Sequence, residues 1–225
     1  MTDSEIISIF TAHPAPTSNG YAFEWFKDIS ALLGIPTSAR APEEPEEWDN
    51  VGALVDWKDR HTEQKQSYLN VCVLQFYTLY HHAMMTMPDD FEYVPFKALF
   101  KQLRDLELQL PCGSDVWCSI KFYMNLVYGQ LDHGPVRYKY ASRDDITRLA
   151  RKQMESVYGH PSAIYADTDL VVIQSDLADV DSWVSSRVDC KRFPYIVEKY
   201  GTFEIKRIKQ CVSFHDKQTE TRYGY

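Results

Sequence analysis

The sequence predicts an α+β fold, an antiparallel sheet backed by helices. Three observations carry that expectation. Tyr165-Ala166-Asp167-Thr168-Asp169 lies between Ala163-Ile164 and Leu170-Val171-Val172-Ile173, the pattern of a hydrophobic hairpin with an acidic tip. Tyr68 to Phe76 is rich in β-formers and nearly continuous, like a central strand. Several other segments repeat apolar residues at helical spacing.

Taken in order, residues 1 to 20 read as a weakly ordered lead-in, with Pro14, Pro16 and Gly20. Tyr21 to Leu33 reads as an amphipathic helix with Phe23, Phe26, Ile29, Leu32 and Leu33 near one stripe and Gly34 as its stop. Residues 41 to 47 form an acidic, proline-containing linker, read as a solvated loop. The strand from Tyr68 runs into Thr78 to Met85, which starts a helix. His81-His82 within it are adjacent, so they do not share a helix face, and no third ligand sits at useful spacing for zinc.

Pro95 to Gln109 reads as a helix with proline at its start. Leu99, Leu103 and Leu106 mark one face, and Lys97, Lys101 and Arg104 mark a solvated one. Pro111-Cys112-Gly113-Ser114 breaks the pattern before a second helix, Asp115 to Tyr128, giving a helical hairpin. Lys121, Asn125 and Tyr128 fall at i, i+4 and i+7, on one stripe. A lysine, an amide and a phenol together suit a ligand with phosphates and a base. Ser142 caps a further helix with Asp144 and Asp145 in its first turn and Gly159 beyond its end. Ile146, Leu149, Met154 and Val157 form its apolar stripe. Asp179 to Val188 reads as a surface helix. Tyr195 to Phe214 reads as a strand pair around Gly201, with the main basic cluster: Lys199, Lys206, Arg207 and Lys209.

The acidic tip carries the sharpest chemistry. Two carboxylates this close repel unless a cation sits between them, and hard oxygen ligands on a rigid turn suit magnesium. An ordinary acidic turn has the same composition. The whole chain is 44% hydrophobic and 14% aromatic, which is globular, and no apolar run reaches the ~20 residues of a membrane span. The N-terminus lacks the basic start of a signal peptide, and five cysteines form no CxxC pair. The expectation is reduced thiols in an intracellular protein. A net charge of -8 argues against tight non-specific nucleic-acid binding by the whole surface, though a local basic channel is compatible with it.

In this order the pieces resemble the palm and fingers of family B DNA polymerases. Tyr165-Ala-Asp-Thr-Asp169 is similar to the family's Y-x-D-T-D motif C. Lys121 to Gly129 is similar to its K-x3-N-S-x-Y-G motif B, with Leu126 in place of the serine. Val73 to Met84 resembles motif A, with Gln75 where the family has aspartate and Thr78-Leu79-Tyr80-His81-His82 where it has S-L-Y-P-S. Glu198 to Val212 resembles the strand pair ending in the K-K-x-Y element. Leu170 replaces the serine usual after motif C, and the K-K-x-Y tyrosine is not evident.

The resemblance implies a division into residues 1–67 as lead-in, helix and linker, 68–94 and 130–225 as palm, with the C-terminal end truncated, and 95–129 as a fingers helical hairpin. It leaves no room for an exonuclease or a full thumb, which other chains would supply. It implies that Asp167 and Asp169 hold a Mg2+ pair. It assigns nucleotide contacts to Lys121, Asn125, Tyr80 and Arg104, with Tyr80 as the sugar gate. It assigns DNA contacts to Tyr128, Gly129, Lys206 and Lys209, with primer–template DNA and deoxynucleotides as partners.

Gln75 keeps an oxygen but loses the charge. A unit pair ~4 Å apart at an effective dielectric of 20 is worth about 4 kcal/mol, and a dication roughly doubles it. The gross loss approaches about six orders of magnitude in rate, before relaxation and desolvation reduce it. The first expectation is therefore a polymerase-like core with impaired or absent catalysis. A second is an active minimal or split polymerase using a substitute acid, Asp56, Asp89 or Asp90. A third is a non-catalytic structural or nucleic-acid-binding protein of polymerase descent.

Overall fold

The computed structural model describes residues 1–17, 21–35, 53–58, 65–86, 94–129, 143–207 and 210–224. The linker at 41–47, Asp89, Asp90 and Lys209 lie outside them. The helices are α1 (Asp3–Ala12), α2 (Ala22–Leu32), α3 (Leu79–Thr86), α4 (Val94–Gln109), α5 (Asp115–Gly129), α6 (Arg143–Tyr158) and α7 (Leu177–Ser185). The strands are β1 (Val55–Trp57), β2 (Gln66–Phe76), β3 (Ala163–Asp167), β4 (Leu170–Ile173), β5 (Tyr195–Arg207) and β6 (Gln210–Tyr223). The expected class holds: the fold is α+β, with one six-stranded antiparallel sheet backed by helices. Two compact units divide the chain, Met1–Asp49 with Met87–Asp145 and Asn50–Thr86 with Ile146–Tyr225.

The first unit is helical. Its opening corrects the expectation of a weakly ordered lead-in, because α1 starts on a capping box. The Glu5 amide donates to Thr2 Oγ1, and the Thr2 amide donates to Glu5 Oε2 at 2.6 Å. Ile6 and Phe10, four residues apart, are buried. The T-x-x-E signal was legible in the sequence, but Ile6, Ile7, Ile9 and Phe10 crowd into the two turns after it without singling out one stripe, and only Ile6 and Phe10 are buried. Thr2→Ala is expected to cost about 1 kcal/mol in chemical denaturation, the usual loss for an N-cap. In α2, Phe26 and Ile29 are buried while Phe23 and Leu32 of the predicted stripe are exposed. Phe26 stacks on Tyr123 of α5 at 5.3 Å, and the buried Tyr123 hydroxyl shares a 2.9 Å hydrogen bond with Ser30. Helices α4 and α5 pack together across the break at residues 110–114, as a helical hairpin.

The second unit is built on the sheet, in strand order β1-β3-β4-β2-β5-β6. Strand β2 is interior, and Val71, Cys72, Val73 and Leu74 are all buried, so both of its faces are covered. That is why its sequence reads as a continuous apolar run rather than an alternation. Directly opposed residues share a face. One face carries Trp57, Tyr165, Val172, Val73 and Phe203 in a single apolar cluster. The other carries Ala166, Val171, Leu74 and Val197, all buried.

The strand pair at the C-terminal end does not turn at Gly201. Chain reversal falls between Arg207 and Gln210, and β6 returns alongside β5 as far as Tyr223. Gly201 instead lies inside β5, just past a register shift against β6 between Lys199 and Tyr200. Asn70 (φ 53°) on β2 and Asp216 (φ 59°) on β6 stand at the same level. A Cβ on Gly201 would meet the Asp216 Cβ at 3.0 Å, so glycine is what allows the close approach. A sequence signal that reads as a turn is here a position inside continuous strands.

Burial also separates the cysteines. Cys72 is buried, and desolvation pushes its thiol up to about 11, while Cys112 and Cys118 are exposed. Mass-mapped alkylation of the native protein at pH 8 is expected to label Cys112 and Cys118 and to leave Cys72 unlabelled until denaturant is added.

Candidate active site

The acidic tip forms as the flanking strands dictate. Asp167 pairs with Leu170, so only Thr168 and Asp169 connect β3 to β4. The Asp169 amide donates to the Asp167 carbonyl at 2.6 Å, an i to i+2 bond that centres a γ-turn on Thr168. Thr168 has φ 57°, a conformation costly for a β-branched residue. Its amide donates to the Leu54 carbonyl at 2.9 Å, which holds the turn against the segment leading into β1. Thr78, just past the end of β2, is a second β-branched residue at positive φ, 47°. Backbone strain of this kind is concentrated at functional sites more than elsewhere.

Strand β2 runs beside the tip. Gln75 is the register partner of Leu170, and the Phe76 amide donates to the Asp169 carbonyl at 2.8 Å. Val55, Asp167, Leu170, Gln75, Ile196 and Arg222 therefore form one row across all six strands, on one face. Asp167 and Asp169 are half-buried, and Gln75 is exposed. Both oxygens of Asp167 accept from hydroxyls: Tyr165 Oη to Oδ2 at 3.1 Å and Thr168 Oγ1 to Oδ1 at 2.8 Å.

Asp56, the candidate substitute acid, is placed otherwise. It is the register partner of Ala166 and so points to the opposite face from Asp167, where Tyr158 Oη donates to its Oδ2 at 3.1 Å. The alternation of side chains along β1 is the physical reason. Among the described residues no group of three or more His, Cys, Asp and Glu side chains is placed to hold a metal ion. Two carboxylates and an amide oxygen are hard oxygen donors of the kind magnesium takes beside water and phosphate oxygens, and lack the third acid that a bridged pair needs.

The remaining predicted residues distribute as follows. In the sheet unit, Tyr80 lies half-buried in the second position of α3, with His81 and His82 buried after it. Lys206, near the end of β5, is exposed. In the helical unit, Ile120, Tyr123, Met124 and Val127 bury one face of α5, leaving Asn125 exposed and Lys121 and Tyr128 half-buried on the other. Lys121 Nζ lies over the Trp117 ring, 4.6 Å from its centroid. Gly129 closes α5. Arg104 departs from the expected solvated face: it is only 8% exposed, on the same side of α4 as Phe100, Leu103 and Glu107. A long aliphatic stem lets arginine follow the buried face, and charge alone did not reveal that.

Sequence reasoning missed the charged network flanking this row. Lys217 bonds to Glu198 and, at 2.7 Å, to Glu220, and Arg222 Nε bonds to Glu220 at 2.7 Å. Lys217 first, then Arg222, hold the Glu220 carboxyl down at about 2. Because its folded value is depressed below the ordinary 4.5, Glu220 stabilises the fold above that pH and loses this contribution as pH falls towards 2. Glu220→Gln is expected to be less stable than the parent at pH 7. The gap should close between about pH 4.5 and 2 in denaturation curves taken across that range.

No protein-family model and no curated protein matches the chain. Among solved structures it is similar to the family B DNA polymerase from the hyperthermophilic archaeon Pyrobaculum calidifontis. The identity is 19%, over 93% of this chain and 33% of that one, with a TM-score of 0.49. The chain thus spans about a third of that polymerase's length.

Proposed function

We propose that the chain is a polymerase-like palm and fingers core that binds nucleotide and primer–template DNA, with nucleotidyl transfer impaired by Gln75. The observation that carries the proposal is the register of β2 against the acidic tip, with Gln75 opposite Leu170 and the Phe76 amide on the Asp169 carbonyl. A segment resembling motif A thereby lies beside one resembling motif C, in one sheet, with an amide where the chemistry wants a third acid.

In this reading Asp169 and Asp167 hold Mg2+. Held there, Mg2+ would supply activation of a primer hydroxyl and stabilisation of the leaving pyrophosphate. Gln75 contributes a neutral oxygen only. In the helical unit, Lys121, over Trp117, and Asn125 present a cation and an amide that suit a triphosphate, with Arg104 as a further nucleotide contact. Tyr80 packs under the sugar, Tyr128 and Gly129 line the base pair, and Lys206 and Lys209 meet the primer backbone.

Primer extension with Mg2+ or Mn2+ tests the proposal. The expected result is extension at or near background for the parent, with salt-sensitive binding of primer–template DNA. Robust extension by the parent that disappears in Asp169→Ala would instead make it an active minimal polymerase. No DNA binding even at low salt would leave a structural protein.

A further inference from the structure

We infer that Tyr165 and Thr168 are positioning residues for the cation site, each fixing one oxygen of Asp167. The inference rests on the function proposed above and names what orients that site. Tyr165 is 1% exposed and packs against Phe203, ring centroids 5.7 Å apart. It sits two residues before Asp167 on the same strand face, so its hydroxyl emerges from the apolar cluster directly at Oδ2. The ring cannot follow a moving carboxylate without repacking that cluster. Thr168 takes the other oxygen from the turn, and its amide is anchored on Leu54.

The choice of threonine is informative. A γ-turn centred at φ 57° is eased by glycine, which has no Cβ, or by asparagine, which tolerates the left-handed region. Threonine accepts the strain and supplies a short hydroxyl at 2.8 Å from Oδ1. Such a pair of hydroxyl donors fixes a carboxylate in one orientation without neutralising it, the part that outer hydrogen bonds play around metal ligands. Asp167 is thus held in place before any cation arrives.

The test uses the full-length chain and Mn2+ alone, with affinity read by electron paramagnetic resonance. Tyr165→Phe and Thr168→Val each remove one hydroxyl and keep the packing or the branch. Both are expected to weaken Mn2+ binding about 10- to 100-fold. Thr168→Ser, which keeps the hydroxyl, should stay within about threefold of the parent, a rescue that a role in packing alone would not give. Asp169→Ala serves as the reference. If the parent binds Mn2+, Asp169→Ala abolishes binding, and Tyr165→Phe and Thr168→Val bind like the parent, the positioning role is overturned while the proposed function stands. If the parent binds no Mn2+ at millimolar concentrations, or Asp169→Ala changes nothing, the proposed function fails and this inference with it. Should Tyr165→Phe not fold, Thr168→Val against Thr168→Ser decides the question alone.

Discussion

Gln75→Asp is expected to raise primer extension on the order of 10³-fold over the parent, the factor equivalent to about 4 kcal/mol of restored charge interaction. The position favours such a gain. Residue 75 is exposed, and its neighbour Phe76 is bonded to the Asp169 carbonyl, so a new carboxylate arises beside the turn without repacking the sheet. Gln75→Asn, equally short and uncharged, should give no gain. That control separates charge from side-chain length. Asp169→Ala placed in the Gln75→Asp background should return extension to the parent's level. Single-turnover extension with saturating nucleotide is the measurement. A rate unchanged in Gln75→Asp would mean that the missing acid is not what limits the chain.

Phe203→Ala should lower stability by about 3–5 kcal/mol in urea or guanidinium unfolding, the usual range for a buried phenylalanine. Phe203 is fully buried and meets three rings: Tyr68 at 6.0 Å, Tyr165 at 5.7 Å and Phe214 at 5.0 Å. It therefore joins β2, β3, β5 and β6 through one side chain, just beyond Gly201. Phe203→Leu keeps most of the volume and should cost much less. A loss below about 1 kcal/mol for the alanine variant would mean that the cluster collapses onto the vacancy.

Some of the candidate site could be read in the chain directly. Asp167 and Asp169 are tied to a turn by the apolar runs beside them, because two strands separated by two residues leave no other place for the intervening chain. The outward stripe of Lys121, Asn125 and Tyr128 followed from helical periodicity alone, and Ile120, Tyr123, Met124 and Val127 bury the opposite face as that period requires. The place of Gly201 inside β5 was not legible. It depends on Asn70 and Asp216, which are 131 and 15 residues away, standing level with it on neighbouring strands. Arg104 misled for a related reason: a charged residue beside a helix's apolar stripe is compatible with either face until the packing partner is known.

By itself, then, the sequence determined the local pieces: the hairpin and its acids, the buried strand ending at Phe76, and the helical hairpin with its polar stripe. Each is set by interactions within a few residues, by side-chain period and turn chemistry. Only the tertiary structure decided which strands are neighbours and which face each side chain takes. Strand order brought Gln75 beside the tip, and the alternation of side chains turned Asp56 away from it. Those choices depend on pairing between segments about a hundred residues apart, which no local pattern in the chain encodes.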